Sequence, residues 1–185
     1  MNTLKFISVF SIALLIAACG SSEQTTDENK DKKEPPREQY LEQIKTMEAE
    51  MFKSEVVNPE TANKAIKAYS DYALNFPNDT ISAHYLFKAG EVATANKQFT
   101  QAMIYYENIE KTYPDFVHCE AALYLQAYLF DYLINDDAKA KTVYERLMQK
   151  YPTSHYVDDA KAAIANLGKT DEQLIEEFKK KNGQK

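Results

Sequence analysis

Two cysteines, three histidines and several paired acids are the residues of this chain whose types could do chemistry. Cys119 stands beside His118, and a thiol next to an imidazole is the raw material of a cysteine nucleophile. Adjacent residues of a helix point about 100° apart, however, and a thiol packed between helices explains Cys119 equally. His84, His118 and His155 fall seven, four and three residues after prolines 77, 114 and 152, near the starts of three different helices. No His-x3-His or Cys-x2-Cys spacing is present, so a zinc site has no support. The acid pairs Asp136-Asp137, Asp158-Asp159 and Glu176-Glu177 are expected at turns or on solvated helix faces. There is no glycine-rich phosphate loop and no nucleophile elbow. The reading is of a chain that is not an enzyme, with no catalytic set, no metal and no cofactor.

Cys19 is different. Lys5 precedes a thirteen-residue apolar run, 6–18, and the run stops at Cys19. Its length suits a targeting segment and falls short of a membrane-spanning helix, which needs roughly 20 residues. Ile16-Ala17-Ala18-Cys19-Gly20 resembles the lipobox of bacterial lipoproteins. The resemblance implies cleavage before Cys19 and acylation of that residue, leaving Cys119 as a lone thiol without a disulfide partner in the chain. It also implies an outer-membrane address, on the periplasmic face. Removing 1–18 takes away Lys5 and no acid, so the net charge of -6 becomes -7. That sign argues against nucleic acid and against a polybasic membrane-binding face. Residues 20–36, GSSEQTTDENKDKKEPP, hold no aliphatic or aromatic side chain. They are too polar to order themselves and read as a tether spanning roughly 20–25 Å r.m.s.. The expected organisation is a lipoprotein signal peptide at 1–18, the lipidated Cys and tether at 19–36, and a helical repeat domain at 37–182.

What positions any remaining functional residues is a pattern that occurs three times: Ala, three residues, Tyr, six residues, an aromatic, then Pro. The copies are Ala65/Tyr69/Phe76/Pro77, Ala102/Tyr106/Tyr113/Pro114 and Ala140/Tyr144/Tyr151/Pro152, with prolines 37 and 38 residues apart. The intervals of three and four mark one stripe of a helix, which each proline then ends. Thirteen residues after each proline comes a small residue, Gly90, Ala127 or Ala165, on the next helix. Nine after come Leu86 and Leu123, with Lys161 breaking the rule. The unit is helix A, turn, helix B, Pro, and a period in this range signals stacked helical hairpins. Cap and turn residues place helices near 38–54, 59–76, 80–95, 98–113, 116–134, 137–151, 154–167 and 171–181. The last begins at a capping box, Thr170 to Gln173. It carries Leu174, Ile175 and Phe178 on one face and is expected to cover the open end of the stack, the alternatives being partner docking or disorder.

The Ala-x3-aromatic spacing and the proline twelve residues after that Ala resemble helix B of the tetratricopeptide repeat, and Gly90 resembles the small helix A residue of that motif. The chain departs from it in its period, in having no Trp, and in Tyr72, Ile109 and Leu147 where a second small residue is usual. The resemblance implies an all-α solenoid of about three hairpins plus a C-terminal capping helix. The phrase at 151–156, YPTSHY, is similar to that of BamD-type and CpoB/YbgF-type envelope lipoproteins. This resemblance implies a non-catalytic scaffold for a protein or peptide partner, an accessory of outer-membrane protein assembly. The alternative is an adaptor coordinating cell-wall synthesis with constriction, a family that trimerises through a coiled coil. Here the stripe Tyr40, Ile44, Met47 and Met51 spans only about two heptads, so a monomer outside its complex is expected.

In the repeat family helix A lines the partner groove. That register selects His84, Phe87, Glu91 and Thr94 on one helix and Tyr124, Tyr128, Asp131 and Tyr132 on the next. Tyr124, Tyr128 and Tyr132 form an i, i+4, i+8 ladder that suits either an interface or a core. Glu91 and Asp131 tilt the balance toward a groove, since a closed core avoids carboxylates, and they would select basic partners.

Overall fold

The computed structural model describes residues 36–51, 53 and 58–183. The expected targeting segment, Cys19 and the tether up to residue 35 lie outside these. The helices are α1 (Arg37–Met51), α2 (Pro59–Asn75), α3 (Ile81–Ala95), α4 (Phe99–Thr112), α5 (Cys119–Tyr128), α6 (Asp137–Lys150), α7 (Val157–Asn166) and α8 (Asp171–Lys181), with a π-helical segment, Leu129–Ile134, continuing α5. No strand occurs among the described residues. Up to α7, helices pack chiefly on their neighbours in sequence. Short connections make those neighbours hairpins: α1/α2, α3/α4 and α5/α6, followed by α7. Odd-numbered helices are the A helices and even-numbered ones the B helices.

The repeated sequence produces repeated geometry. Phe76, Tyr113 and Tyr151 close α2, α4 and α6 with φ of -126°, -129° and -129° and ψ of 57°, 59° and 65°. Each precedes a proline, whose ring disfavours the α conformation in the residue before it. Ala65, Ala102 and Ala140 are fully buried, and Tyr69, Tyr106 and Tyr144 are buried one turn later. Gly90 has a specific cause. A Cβ there would stand 2.5 Å from Tyr106 Cε1, so the A and B helices approach more closely than alanine allows. Asn58 caps α2, its Oδ1 accepting from the Thr61 N–H at 2.9 Å, and the expected capping box forms at Thr170/Gln173.

Three expectations need correction. The third and fourth A helices begin at Cys119 and Val157, not at 116 and 154. The residues after each proline first form turns, with the Phe116 N–H donating to the Tyr113 carbonyl and the Ser154 N–H to the Tyr151 carbonyl. The helix expected over 116–134 is not α-helical throughout. Its last six residues widen into the π-helical segment, and Asn135 exits in the left-handed conformation (φ 58°). Finally, α8 forms where expected, with Leu174 half-buried, but most of its apolar stripe stays open. No residue of α8 is buried, and Ile175 and Phe178 are 54% and 65% exposed.

Candidate functional site on the A-helix face

Along α3, His84 is exposed, Phe87 half-buried, Glu91 exposed and Thr94 half-buried. The α4–α5 turn, held by the Tyr113–Phe116 and Phe116–Cys119 backbone bonds, brings Phe116 and His118 against this row. His84 meets Phe116 edge-on at 4.7 Å between ring centroids and lies 6.0 Å from His118. Phe87 lies 5.5 Å from His118. The result is a four-ring aromatic cluster bridging two A helices, with Glu91 a turn further along α3. The protein around the Glu91 carboxyl holds it above the usual carboxylate range, against the opposing pull of the His118 and Lys88 charges. Sequence reasoning missed Phe116 and His118 as site residues. Their only signal was falling two and four residues after Pro114, where the turn folds them back.

The tyrosine ladder does not persist as one row. Tyr124 is half-buried and stacks on Tyr156, ahead of α7, at 4.6 Å and 17°. Tyr128 is half-buried and stacks on Tyr132 at 4.8 Å and 27°. Tyr132 is 60% exposed. Asp131 is half-buried and accepts the Tyr144 hydroxyl from α6 at 3.3 Å. Burial pushes its carboxyl up and the Tyr144 bond works the other way. Asp131 therefore ties the A helix to its own B helix, and the expectation that it stands free to select a basic partner is corrected. Glu91 keeps the open position.

Cys119 and His118 lie in different surroundings, His118 being the non-helical residue that precedes α5. The thiol is buried, and burial pushes its pKa up, away from the reactive thiolate, while His118 is exposed in the aromatic cluster. His155, exposed, lies 3.8 Å from Glu120 and faces neither of the other histidines. Among the described residues no three His, Cys, Asp or Glu side chains gather in a metal-holding group, and no helix is long and apolar enough to cross a membrane.

The tetratricopeptide repeat family model matches residues 85–115 and 121–154. These segments are the hairpins α3/α4 and α5/α6, each with its closing proline. The fold is a tetratricopeptide-like helical solenoid. The first hairpin lies outside the match, and its connection from Met51 to Pro59 is longer than that from Ala95 to Phe99. No curated protein matches the chain. Tetratricopeptide repeats commonly mediate protein–protein binding.

Proposed function

We propose that this protein is a lipid-anchored, non-catalytic scaffold of the bacterial envelope, holding a protein or peptide segment along its A-helix face. The observation that carries the reading is a contrast in burial between the two kinds of helix. The repeat tyrosines of the B helices, Tyr69, Tyr106 and Tyr144, are buried. On the A helices Tyr85 is buried in the core, but the rings at the predicted groove positions stay half-buried or exposed in adjacent groups, around His84 and at the Tyr128/Tyr132 pair. Aromatic rings offer contact area at small entropic cost, and Glu91 supplies an acid for a basic partner. Lipidation at Cys19 would hold this face near the outer membrane on its periplasmic side. An accessory role in outer-membrane protein assembly is the specific form we favour. The cell-wall adaptor reading needs an oligomerising stripe on α1. Ile44 is instead buried within this chain and Tyr40 packs edge-on against Phe76 of α2.

The test is site-specific photo-cross-linking in cells, with the probe at Tyr132 on the A face and, as control, at the exposed Ile104 of α4. A discrete adduct from Tyr132, absent from Ile104 and identified by mass spectrometry as a β-barrel assembly component, supports the reading. Cell-wall enzymes in that adduct move the protein to the adaptor role, and equal background from both positions removes the groove. Metabolic labelling with an alkyne fatty acid, lost in Cys19→Ala, checks the anchor separately.

A further inference from the structure

The eighth helix is complete yet unemployed. Its capping box is closed in both directions, with the Thr170 N–H donating to Gln173 Oε1 at 2.9 Å and the Gln173 N–H to Thr170 Oγ1 at 3.3 Å. Acids occupy its first turn and Lys179, Lys180 and Lys181 its last, both favourable to the helix dipole. By position it should be the B helix of α7, and two features stop it. The fourth residue of α4 and α6 is a fully buried alanine, Ala102 or Ala140, with a tyrosine four residues on. In α8 the fourth residue is Leu174 and Phe178 follows at the same interval, so the close approach that alanine permits is blocked. The A helix is also cut short. Gly90 is followed by helix up to Ala95 and Ala127 by helix up to Ile134, whereas α7 ends at Asn166, one residue past Ala165.

What remains is an amphipathic helix whose apolar stripe runs from the half-buried Leu174 to the exposed Ile175 and Phe178. At about 100° per residue, Lys179 and Lys181 fall on opposite flanks of that stripe. The acids of the same helix are largely answered: Glu176 pairs with Lys180 at 2.7 Å and Glu177 with Lys169 at 2.7 Å. Lys179 and Lys181 have no ion-pair partner among the described residues. Asp171 and Glu172 stand at the opposite, N-terminal end. We infer that α8 is an interfacial helix that lays the Phe178 end of its stripe into an anionic lipid surface, with Lys179 and Lys181 reaching the headgroups. Flanking lysines over an apolar stripe fit a bilayer interface, where stems lie along the acyl boundary and charges meet lipid phosphates. The acidic first turn keeps the N-terminal end outward. This contact is independent of Cys19 and does not rest on the groove.

The chain contains no Trp, so Phe178→Trp places a single reporter on the stripe of the full-length protein. Its emission is followed in vesicles of equal parts phosphatidylglycerol and phosphatidylcholine, and in phosphatidylcholine alone. The expected result is a shift to shorter wavelength with the anionic vesicles and quenching by acyl-brominated lipid. Lys179→Gln with Lys181→Gln should lower the partition constant for anionic vesicles roughly thirtyfold. Circular dichroism checks that the fold is intact, which the absence of buried residues in α8 predicts. Emission unchanged by anionic vesicles overturns the proposal. So does an equal response to phosphatidylcholine alone. A short-wavelength, concentration-dependent signal without lipid also overturns it, by showing that a second copy covers the stripe.

Discussion

The hairpins α3/α4 and α5/α6 are built on the same plan and differ by one residue. From Gly90 to Ala102 is 12 residues and from Ala127 to Ala140 is 13, which is also why the prolines are 37 and 38 apart. The α3/α4 hairpin keeps a regular A helix and packs so closely that only glycine fits beneath Tyr106. The α5/α6 hairpin accommodates its extra residue in the Leu129–Ile134 π turn, and the register around the turn recovers: Ala140 and Tyr144 are as buried as Ala102 and Tyr106. The widening sends Asp131 inward to Tyr144 and Tyr132 outward. A core can thus stay constant while the surface of one repeat is re-aimed, which is how π bulges come to sit at functional positions.

Length changes are the strongest way to break this comparison. Inserting one Ala after Val92 should force a bulge next to the Gly90–Tyr106 contact and cost on the order of 3 kcal/mol, at the upper end of ordinary single-site effects. Deleting the exposed Tyr132 should let the π segment close to regular helix at about 1 kcal/mol or less. Urea unfolding of both variants decides. Equal costs would mean that the π segment is not where the extra residue is absorbed. A reciprocal pair of substitutions comes next. Gly90→Ala gains about 1 kcal/mol of helix propensity but overpacks a buried ring, for which 1–3 kcal/mol is typical, so a net loss of about 1 kcal/mol is expected. Ala127→Gly should also lose about 1 kcal/mol. Stabilisation by Gly90→Ala would show that the Tyr106 ring yields.

Much of this architecture could be read from the sequence because short-range rules decide it. The prolines stop the B helices, the alanines and tyrosines at helical spacing build the core, and Asn58 and Thr170 cap where their side chains predict. The 38-residue interval was visible too, but an extra residue can enter a loop or a helix, and only packing chose the π turn. The candidate face was half legible. Register alone picked His84, Phe87 and Tyr132, while Phe116 and His118 join them through a turn whose path depends on contacts far along the chain. The inward-facing Glu110 carried no local signal at all. It is buried on α4 and takes Lys150 at 2.6 Å and Arg146 at 3.2 Å from α6, linking consecutive B helices. Nor could periodicity say that α8 stays undocked, since its stripe is as regular as those that are buried.

The tyrosines separate surface from core within the α5/α6 hairpin. Tyr132→Ala removes an exposed ring and should change stability by about 0.5 kcal/mol or less. Tyr124→Ala leaves Tyr156 without its stacking partner and exposes Tyr144 from one side, so about 1–2 kcal/mol is expected. If the A face binds as proposed, the Tyr132→Ala variant loses its partner while its melting curve stays in place. Loss of binding in Tyr124→Ala alone, with Tyr132→Ala unaffected, would move the contact surface toward α7.

The smallest effect tests the inward turn of Asp131. Burial raises its pKa in the fold, so folding favours the protonated acid and ionisation weakens the folded state. The penalty is absent below the ordinary aspartate value of about 4, grows as pH rises toward the raised folded value, and is constant above it. The Tyr144 hydroxyl softens it by donating to the carboxylate, and the Asp137 charge adds to it. Asp131→Asn keeps an acceptor for Tyr144 and abolishes the ionisation. It should therefore melt slightly higher than the parent at pH 7 and at the same temperature near pH 3. In the α3/α4 hairpin Glu91 is exposed and accepts no hydroxyl from α4, so Glu91→Gln should move stability with pH less than Asp131→Asn does, and without depending on Tyr106. If Asp131→Asn instead melts lower at pH 7, the charged Tyr144–Asp131 bond outweighs desolvation. The π turn would then be held in place by that bond, rather than merely tolerating the carboxylate.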